Sequence, residues 1–346
     1  MRYQQLGDSD LWVSELCIGT MTFAGQQNTI ETSQKQIDYA ISHGINFIDT
    51  AELYPLPGNA DTQGDTEIAI GQWLAKQQRD QIIIGSKVTG AGPRFPWIRG
   101  ENRRVNRANI EAAINGSLKR LQTDYIDLYY IHWPDRYVPL FGEPDYDPAK
   151  EWETVSISEQ LEVFADLVKA GKIRYVGLCN ETPWGVCQFS SVAKQLGLPK
   201  VVAIQNAYNL VNRIFEIHLS EACRFHQIGL LAYSPLAFGH LTGKYLNKAP
   251  KNSRLGLFSE FDYRYRQANV RDAVAAYVEI SQKYGLTPVQ LALAFVRSCW
   301  FVTSTIIGIT NIEQLAENIK TTEINLSPEI LAEINAVHLR YRNPAP

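Results

Sequence analysis

Four residues of suitable chemistry stand at the ends of three apolar runs. Asp49 closes Ile45-Asn46-Phe47-Ile48-Asp49, and Tyr54 follows in the polar stretch beyond it. Lys87 ends Gln81-Ile82-Ile83-Ile84-Gly85-Ser86-Lys87, and His132 ends Tyr125-Ile126-Asp127-Leu128-Tyr129-Tyr130-Ile131-His132. A free phenol is a weak acid, with a pKa of ~10. A neighbouring ammonium favours its phenolate and lowers that value. Lys87 could supply the ammonium, Asp49 could keep it protonated, and His132 could donate a hydrogen bond to a carbonyl oxygen. Together the four could polarise a carbonyl and protonate it as negative charge develops. Side chains carry no hydride, so a reduction would need a cofactor. Each residue also has a plainer reading. Asp49 could cap a helix, Tyr54 could pack, Lys87 could be a solvated strand end, and His132 could be a satisfied core histidine. A lysine at a strand end equally suits a Schiff-base aldolase.

Such a set is useful only if strands deliver it to one rim. Tyr3–Leu6 and Trp12–Leu16 flank the turn formers Gly7, Asp8, Ser9 and Asp10, which predicts an N-terminal β-hairpin. Strand and helix signals then alternate. Strands are expected at 16–20, 45–49, 81–87, 125–132, 172–178, 201–206, 229–234 and 304–308. Helices are expected at 32–43, 66–76, 106–121, 158–169, 183–195, 215–225, 267–284, 288–298, 311–320 and 328–339. This cadence implies parallel crossovers and a (β/α)8 barrel of the TIM type, with a doubly wound sheet as the rival. In a barrel, the C-terminal strand ends carry the chemistry. No linker, repeat or low-complexity tract divides the chain, so residues 1–346 read as one domain. The long loop from 133 to about 157 carries Trp133, Tyr137, Phe141, Tyr146 and Trp152 and reads as a lid or binding loop.

Bulk properties narrow the function. The 346 residues carry a net charge of −3, so no polybasic footprint for nucleic acid is present. The short basic run Arg103, Arg104 and Arg107 reads as a solvated face. Five widely spaced cysteines without a CxxC pair suit reduced thiols and a cytoplasmic protein. No apolar run reaches the ~18 residues of a membrane span, and no signal region opens the chain. No metal-ligand spacing is present.

A phosphate-binding signal appears late in the chain. No G-x-G-x-x-G follows the first strand. Barrels often bind phosphate in the loops after strands seven and eight. Those loops hold Gly239, Gly243 with Lys244, Arg254, and Gly308-Ile309-Thr310 ahead of a helix. A helix N-terminus with nearby cations suits an anion. Ordinary turn glycines beside surface cations would give the same pattern.

Longer stretches carry a resemblance. They are Gly19–Phe23, Gly44–Tyr54, Ser117–Asp127, Ile131-His132-Trp133, Gly171–Gly177, Ala232–Leu236, Leu241–Tyr245 and Gln314–Asn318. In these the chain resembles the aldo-keto reductases from end to end. It looks closest to the Tas-like bacterial members, near the potassium-channel β-subunit branch. The resemblance implies NADPH-dependent reduction of small aldehydes or ketones, with Asp49, Tyr54, Lys87 and His132 as the tetrad and Tyr54 as proton donor. It implies that Asn180 and Gln205 hold the nicotinamide amide and that Tyr233 stacks on its ring. Thr20, Met21 and Asp49 would also border the cofactor. Ser234, Pro235, Leu236 and Gly239 would line the pyrophosphate. Lys244, Arg254, Gly308, Thr310, Gln314, Glu317 and Asn318 would hold the adenosine end. Phe23, Trp133 and Tyr137 are substrate-pocket candidates. Cys179 stands where many members have serine, and no lysine for the 2′-phosphate stands near Gly308, leaving that role to Lys244 and Arg254. The channel-subunit likeness leaves a second reading, a nucleotide-binding sensor or regulatory subunit with little turnover. Neither the physiological substrate nor the oligomeric state follows from the resemblance.

Overall fold

In a computed structural model, residues 1–143 and 145–346 are described. A two-stranded antiparallel hairpin, β1 (Tyr3–Gln5) and β2 (Trp12–Ser14), precedes eight parallel strands. These are β3 (Leu16–Gly19), β4 (Phe47–Asp49), β5 (Ile83–Val88), β6 (Ile126–Ile131), β7 (Ile173–Cys179), β8 (Val201–Ala207), β9 (Gly229–Tyr233) and β10 (Val302–Gly308). They pair in chain order, and β10 closes on β3. The expected (β/α)8 barrel is therefore present, and the doubly wound alternative is excluded by closure.

The helices are α1 (Ile30–Ser42), α2 (Asp65–Leu74), α3 (Arg107–Leu121), α4 (Ile157–Lys169), α5 (Pro183–Leu196), α6 (Leu219–His226), α7 (Arg254–Leu257), α8 (Ala268–Lys283), α9 (Pro288–Ser298), α10 (Ile312–Lys320) and α11 (Pro328–Arg340). Their starts follow local chemistry. Thr29, Asn106, Ser156, Thr182, Ser327 and Asn311 each accept a backbone N–H as N-caps. Thr287 and Gln290 form a capping box ahead of α9. One expected helix, 215–225, is broken. Glu216 turns inward to Arg213 Nε (2.6 Å) and Tyr208, which holds Ile214–Glu216 as a separate 3-10 turn.

Strand side chains alternate, and the period of two sets the site. Phe47, Ile83, Leu128, Tyr130, Ala203 and Leu231 pack together with Leu6, Leu11 and Val13 of the hairpin. The hairpin thus plugs the N-terminal end of the barrel. Gly7 fits there because an added Cβ would lie 2.1 Å from the Val202 carbonyl oxygen. The next positions on the same faces are Asp49, Lys87, His132, Cys179, Gln205 and Tyr233. One layer of the barrel interior is consequently built from functional groups. Tyr130 fills the space below them, facing two glycines. A Cβ at Gly177 would stand 2.5 Å from its ring and one at Gly85 3.0 Å.

Candidate active site

The floor of the site is a closed set of charges. Lys87 Nζ donates to Asp49 Oδ2 at 2.6 Å and to the Thr50 carbonyl at 2.7 Å. Gln205 Nε2 donates to the other Asp49 oxygen at 2.8 Å. Lys87 has no exposed surface. Burial opposes its charge, but Asp49 and the hydrogen bond outweigh that and hold its pKa above the usual value. Burial lifts Asp49, while Lys87 and Gln205 pull it back. A protonated, fully enclosed amine is no carbinolamine nucleophile, so the aldolase reading of Lys87 falls.

Tyr54 and His132 lie above this pair, with ring centroids 5.8 Å apart and Lys87 Nζ 5.3 Å from the Tyr54 ring centre. The balance on Tyr54 differs from the sequence expectation. Burial dominates, Lys87 pulls down less strongly, and the phenol is pushed up to about 12. It is therefore a neutral O–H donor at neutral pH. Burial, with Lys87 and Arg103, drives His132 well below its ordinary value, so its ring is neutral too. His132 Nδ1 has no hydrogen-bond partner among the described residues. The neighbouring loops are tied down separately. Glu52 accepts from Thr89 N at 2.6 Å and pairs with Arg99 at 2.5 Å. Arg103, expected on a solvated face, is instead 1% exposed and donates to the carbonyls of Gly90, Arg94, Phe95 and Ile98. Trp133 Nε1 donates to Ala91 O.

A cavity of about 810 Å³ opens over this floor. Asp49, Tyr54, His132, Thr20, Met21, Asn180, Gln205 and Tyr233 line its base. Ser234, Pro235, Leu236, Gly239, Lys244, Arg254, Gly308, Thr310, Gln314, Glu317 and Asn318 line a second arm. Lys87 lies behind the wall. Tyr233 donates to Asn180 Oδ1 at 2.6 Å, and Asn180 Nδ2 donates to the His132 carbonyl at 2.9 Å and contacts Cys179 Sγ at 3.2 Å. Asn180 and Ser234 hold left-handed backbones, φ 56° and 53°, at two strand ends facing the cavity.

This second arm fits a dinucleotide phosphate. Neither Lys244 nor Arg254 has a carboxylate partner among the described residues. Gly239 holds φ 97°, which a side chain would strain, and a Cβ there would lie 3.0 Å from Lys244 Cε and 3.1 Å from its Nζ. A Cβ at Gly308 would project into open space beside the N-terminus of α10.

Two sequence candidates do not reach the cavity. Phe23 has no exposed surface and packs in the outer core, in a turn beyond β3 that its N–H closes onto the Thr20 carbonyl. Tyr137 turns into its own loop, where it meets Tyr146 at a tilt and Trp152 edge-on and donates to Glu143. Trp133 does line the cavity. Sequence reasoning missed Leu53, Leu56, Arg94, Phe95, Phe141, Tyr263 and Arg264 as lining residues. The loop aromatics were the nearest signal, but spacing does not say which of them face inward.

A buried acid–base set at the C-terminal mouth of a parallel barrel, with an anion-fitting arm beside it, defines a barrel oxidoreductase acting on carbonyl groups. The chain belongs to the aldo/keto reductase family, whose sequence model matches residues 15–338. It is 47% identical over 348 residues to the protein tas of Escherichia coli (strain K12), covering 100% of each chain. It is 32% identical to an uncharacterized oxidoreductase, YrpG, of Bacillus subtilis (strain 168), over 97% of this chain and 96% of that one. It is 31% identical to a putative voltage-gated potassium channel subunit beta of Schizosaccharomyces pombe, over 97% and 92%. The activity is NADPH-dependent reduction of a small-molecule carbonyl. No described helix is long and apolar enough to cross a membrane.

Proposed function

We propose that Tyr54 protonates the carbonyl oxygen of an aldehyde or ketone while His132 orients that oxygen. The observation that carries this is the placement of both rings over the closed Lys87–Asp49 pair at the cavity base. Bound NADPH supplies the hydride. Lys87 stabilises charge on the Tyr54 oxygen as its proton leaves. A neutral His132 donates a hydrogen bond without competing as the acid. Asp49, held by Gln205 and Lys87, fixes the ammonium in place. Asn180 and Gln205 would hold the nicotinamide amide, with Tyr233 against the ring. Lys244 and Arg254 would take the phosphates. Gly308, Thr310, Gln314, Glu317 and Asn318 would border the adenosine.

We infer a single domain and a cytoplasmic location, the latter supported by five free cysteines. The test is steady-state nicotinamide oxidation with an aldehyde and ketone panel, run with NADPH and NADH. Turnover with NADPH in preference to NADH is expected. The relative whose printed name is a channel subunit favours a second reading, a nucleotide-binding regulatory protein. Tight NADPH binding without turnover on any carbonyl would select that reading.

A further inference from the structure

Four cations line the cavity, and the proposed function uses two of them, Lys244 and Arg254. Arg254 lies over Phe238, whose ring meets Tyr265 at 5.5 Å. The other two, Arg94 and Arg264, both hold their guanidinium groups over the Phe141 ring, at 5.0 and 5.8 Å from its centre. From Phe141 a line of aromatic contacts leads back to the acid. Phe141 meets Trp133 at 6.4 Å, Trp133 meets His132 at 5.2 Å, and His132 meets Tyr54 at 5.8 Å.

Arg264 is 8% exposed, yet its Nε has no hydrogen-bond partner among the described residues. It lies among the phenols of Tyr233, Tyr263 and Tyr265, and the Tyr233 hydroxyl accepts from another of its nitrogens. Neither arginine has a carboxylate partner among the described residues. The carboxylates that line the cavity are Asp49 and Glu317. Asp49 is committed to Lys87 and Gln205, and Glu317 accepts from Thr287. A buried guanidinium without a counter-charge is costly, and a planar carboxylate matches its fork. The adjoining wall, Leu53, Leu56, Phe95 and Trp133, is apolar.

We propose that Arg264 and Arg94 form an anion subsite that selects carbonyl substrates carrying a carboxylate, separated from the reacting carbonyl by an apolar body. The carbonyl sits at Tyr54 and His132, the body against Trp133 and Phe95, and the carboxylate at the two arginines. This deepens the proposed reductase function and rests on it for the position of the carbonyl end.

The test compares 4-carboxybenzaldehyde with its uncharged methyl ester, methyl 4-formylbenzoate, at saturating NADPH. The native protein is expected to favour the acid in kcat/KM. Arg264→Gln should reduce the acid-to-ester ratio about tenfold, mainly through KM for the acid. Arg94→Gln, on an exposed side chain, should reduce it in the same direction and guards against misfolding of the first variant. An unchanged ratio in both variants would overturn the subsite. So would a raised Kd for NADPH, measured by fluorescence quenching, as the main effect of Arg264→Gln, since that would give Arg264 to the cofactor. Calorimetric binding of the acid to the NADP+ complex separates the two proposals. Binding that depends on Arg264, without turnover of either aldehyde, would keep the subsite and remove the reductase role. Turnover of the ester with binding of the acid indifferent to both arginines would do the reverse.

Discussion

The floor and the rim of the cavity handle charge in opposite ways. On the floor, Lys87, Asp49 and Gln205 satisfy one another within 2.8 Å, and solvent is excluded. On the rim, Lys244, Arg254, Arg94 and Arg264 face the same space without carboxylate partners among the described residues. A closed network keeps its geometry when ligands come and go. Arg264, the buried one of the four, recovers its lost solvation only when an anion arrives, while Arg94 and Lys244 reach solvent. On the proposed reading, the floor serves chemistry that is the same for every substrate, and the rim serves recognition. The two regions should respond differently to substitution.

The largest effect is expected at the floor. Lys87→Ala leaves a buried Asp49 without its counter-ion, which costs about 3–5 kcal/mol of stability. Chemical denaturation should show this loss, and the surviving folded fraction should not reduce aldehydes. Restoring neutrality with Asp49→Asn in the same chain should recover part of the stability and none of the rate. A rim substitution should do the converse. Arg254→Met is expected to raise the Kd for NADPH by about tenfold to a hundredfold, with a smaller change for NADH and an unfolding midpoint close to native. Equal losses for both nucleotides would place Arg254 away from the extra phosphate.

A smaller effect is expected from pH. The reaction needs Tyr54 protonated, a condition lost only as pH rises towards about 12. It also needs neutral His132, lost as pH falls through a pKa depressed well below 6.5. The rate of the chemical step should thus vary by less than about threefold between pH 6.5 and 9. A step centred near pH 8 would show that the phenol is far more acidic than its surroundings dictate. Least of all is expected from Tyr137→Phe. Its hydroxyl serves Glu143 inside the loop, so KM and kcat for a neutral aldehyde should stay within about twofold.

The barrel was legible because eight apolar runs alternate with capped helices, and local chemistry governs both. Asp49, Lys87 and His132 were legible for the same reason: each ends a strand whose period of two turns it inward. The Gln205–Asp49 bond joins residues 156 apart, and no local pattern carries such a pairing. Arg103 read as a surface charge because its partners are backbone carbonyls, which leave no acidic residue to find in the sequence. Tyr137 and Phe141 share one loop and one chemical type. Only the fold of that loop turns Phe141 to the cavity and Tyr137 away from it. The sign of the Tyr54 shift was also out of reach, since Lys87 was foreseeable but the depth of burial was not.

The division between a self-contained floor and an expectant rim depends on Tyr54 being the group that gives up its proton. The most direct measurement is single-turnover reduction of an aldehyde by preformed NADPH complexes of the native protein and Tyr54→Phe. A loss of about 10²–10⁴-fold in the chemical step, with NADPH affinity unchanged, is expected. A Tyr54→Phe rate within threefold of native would contradict it.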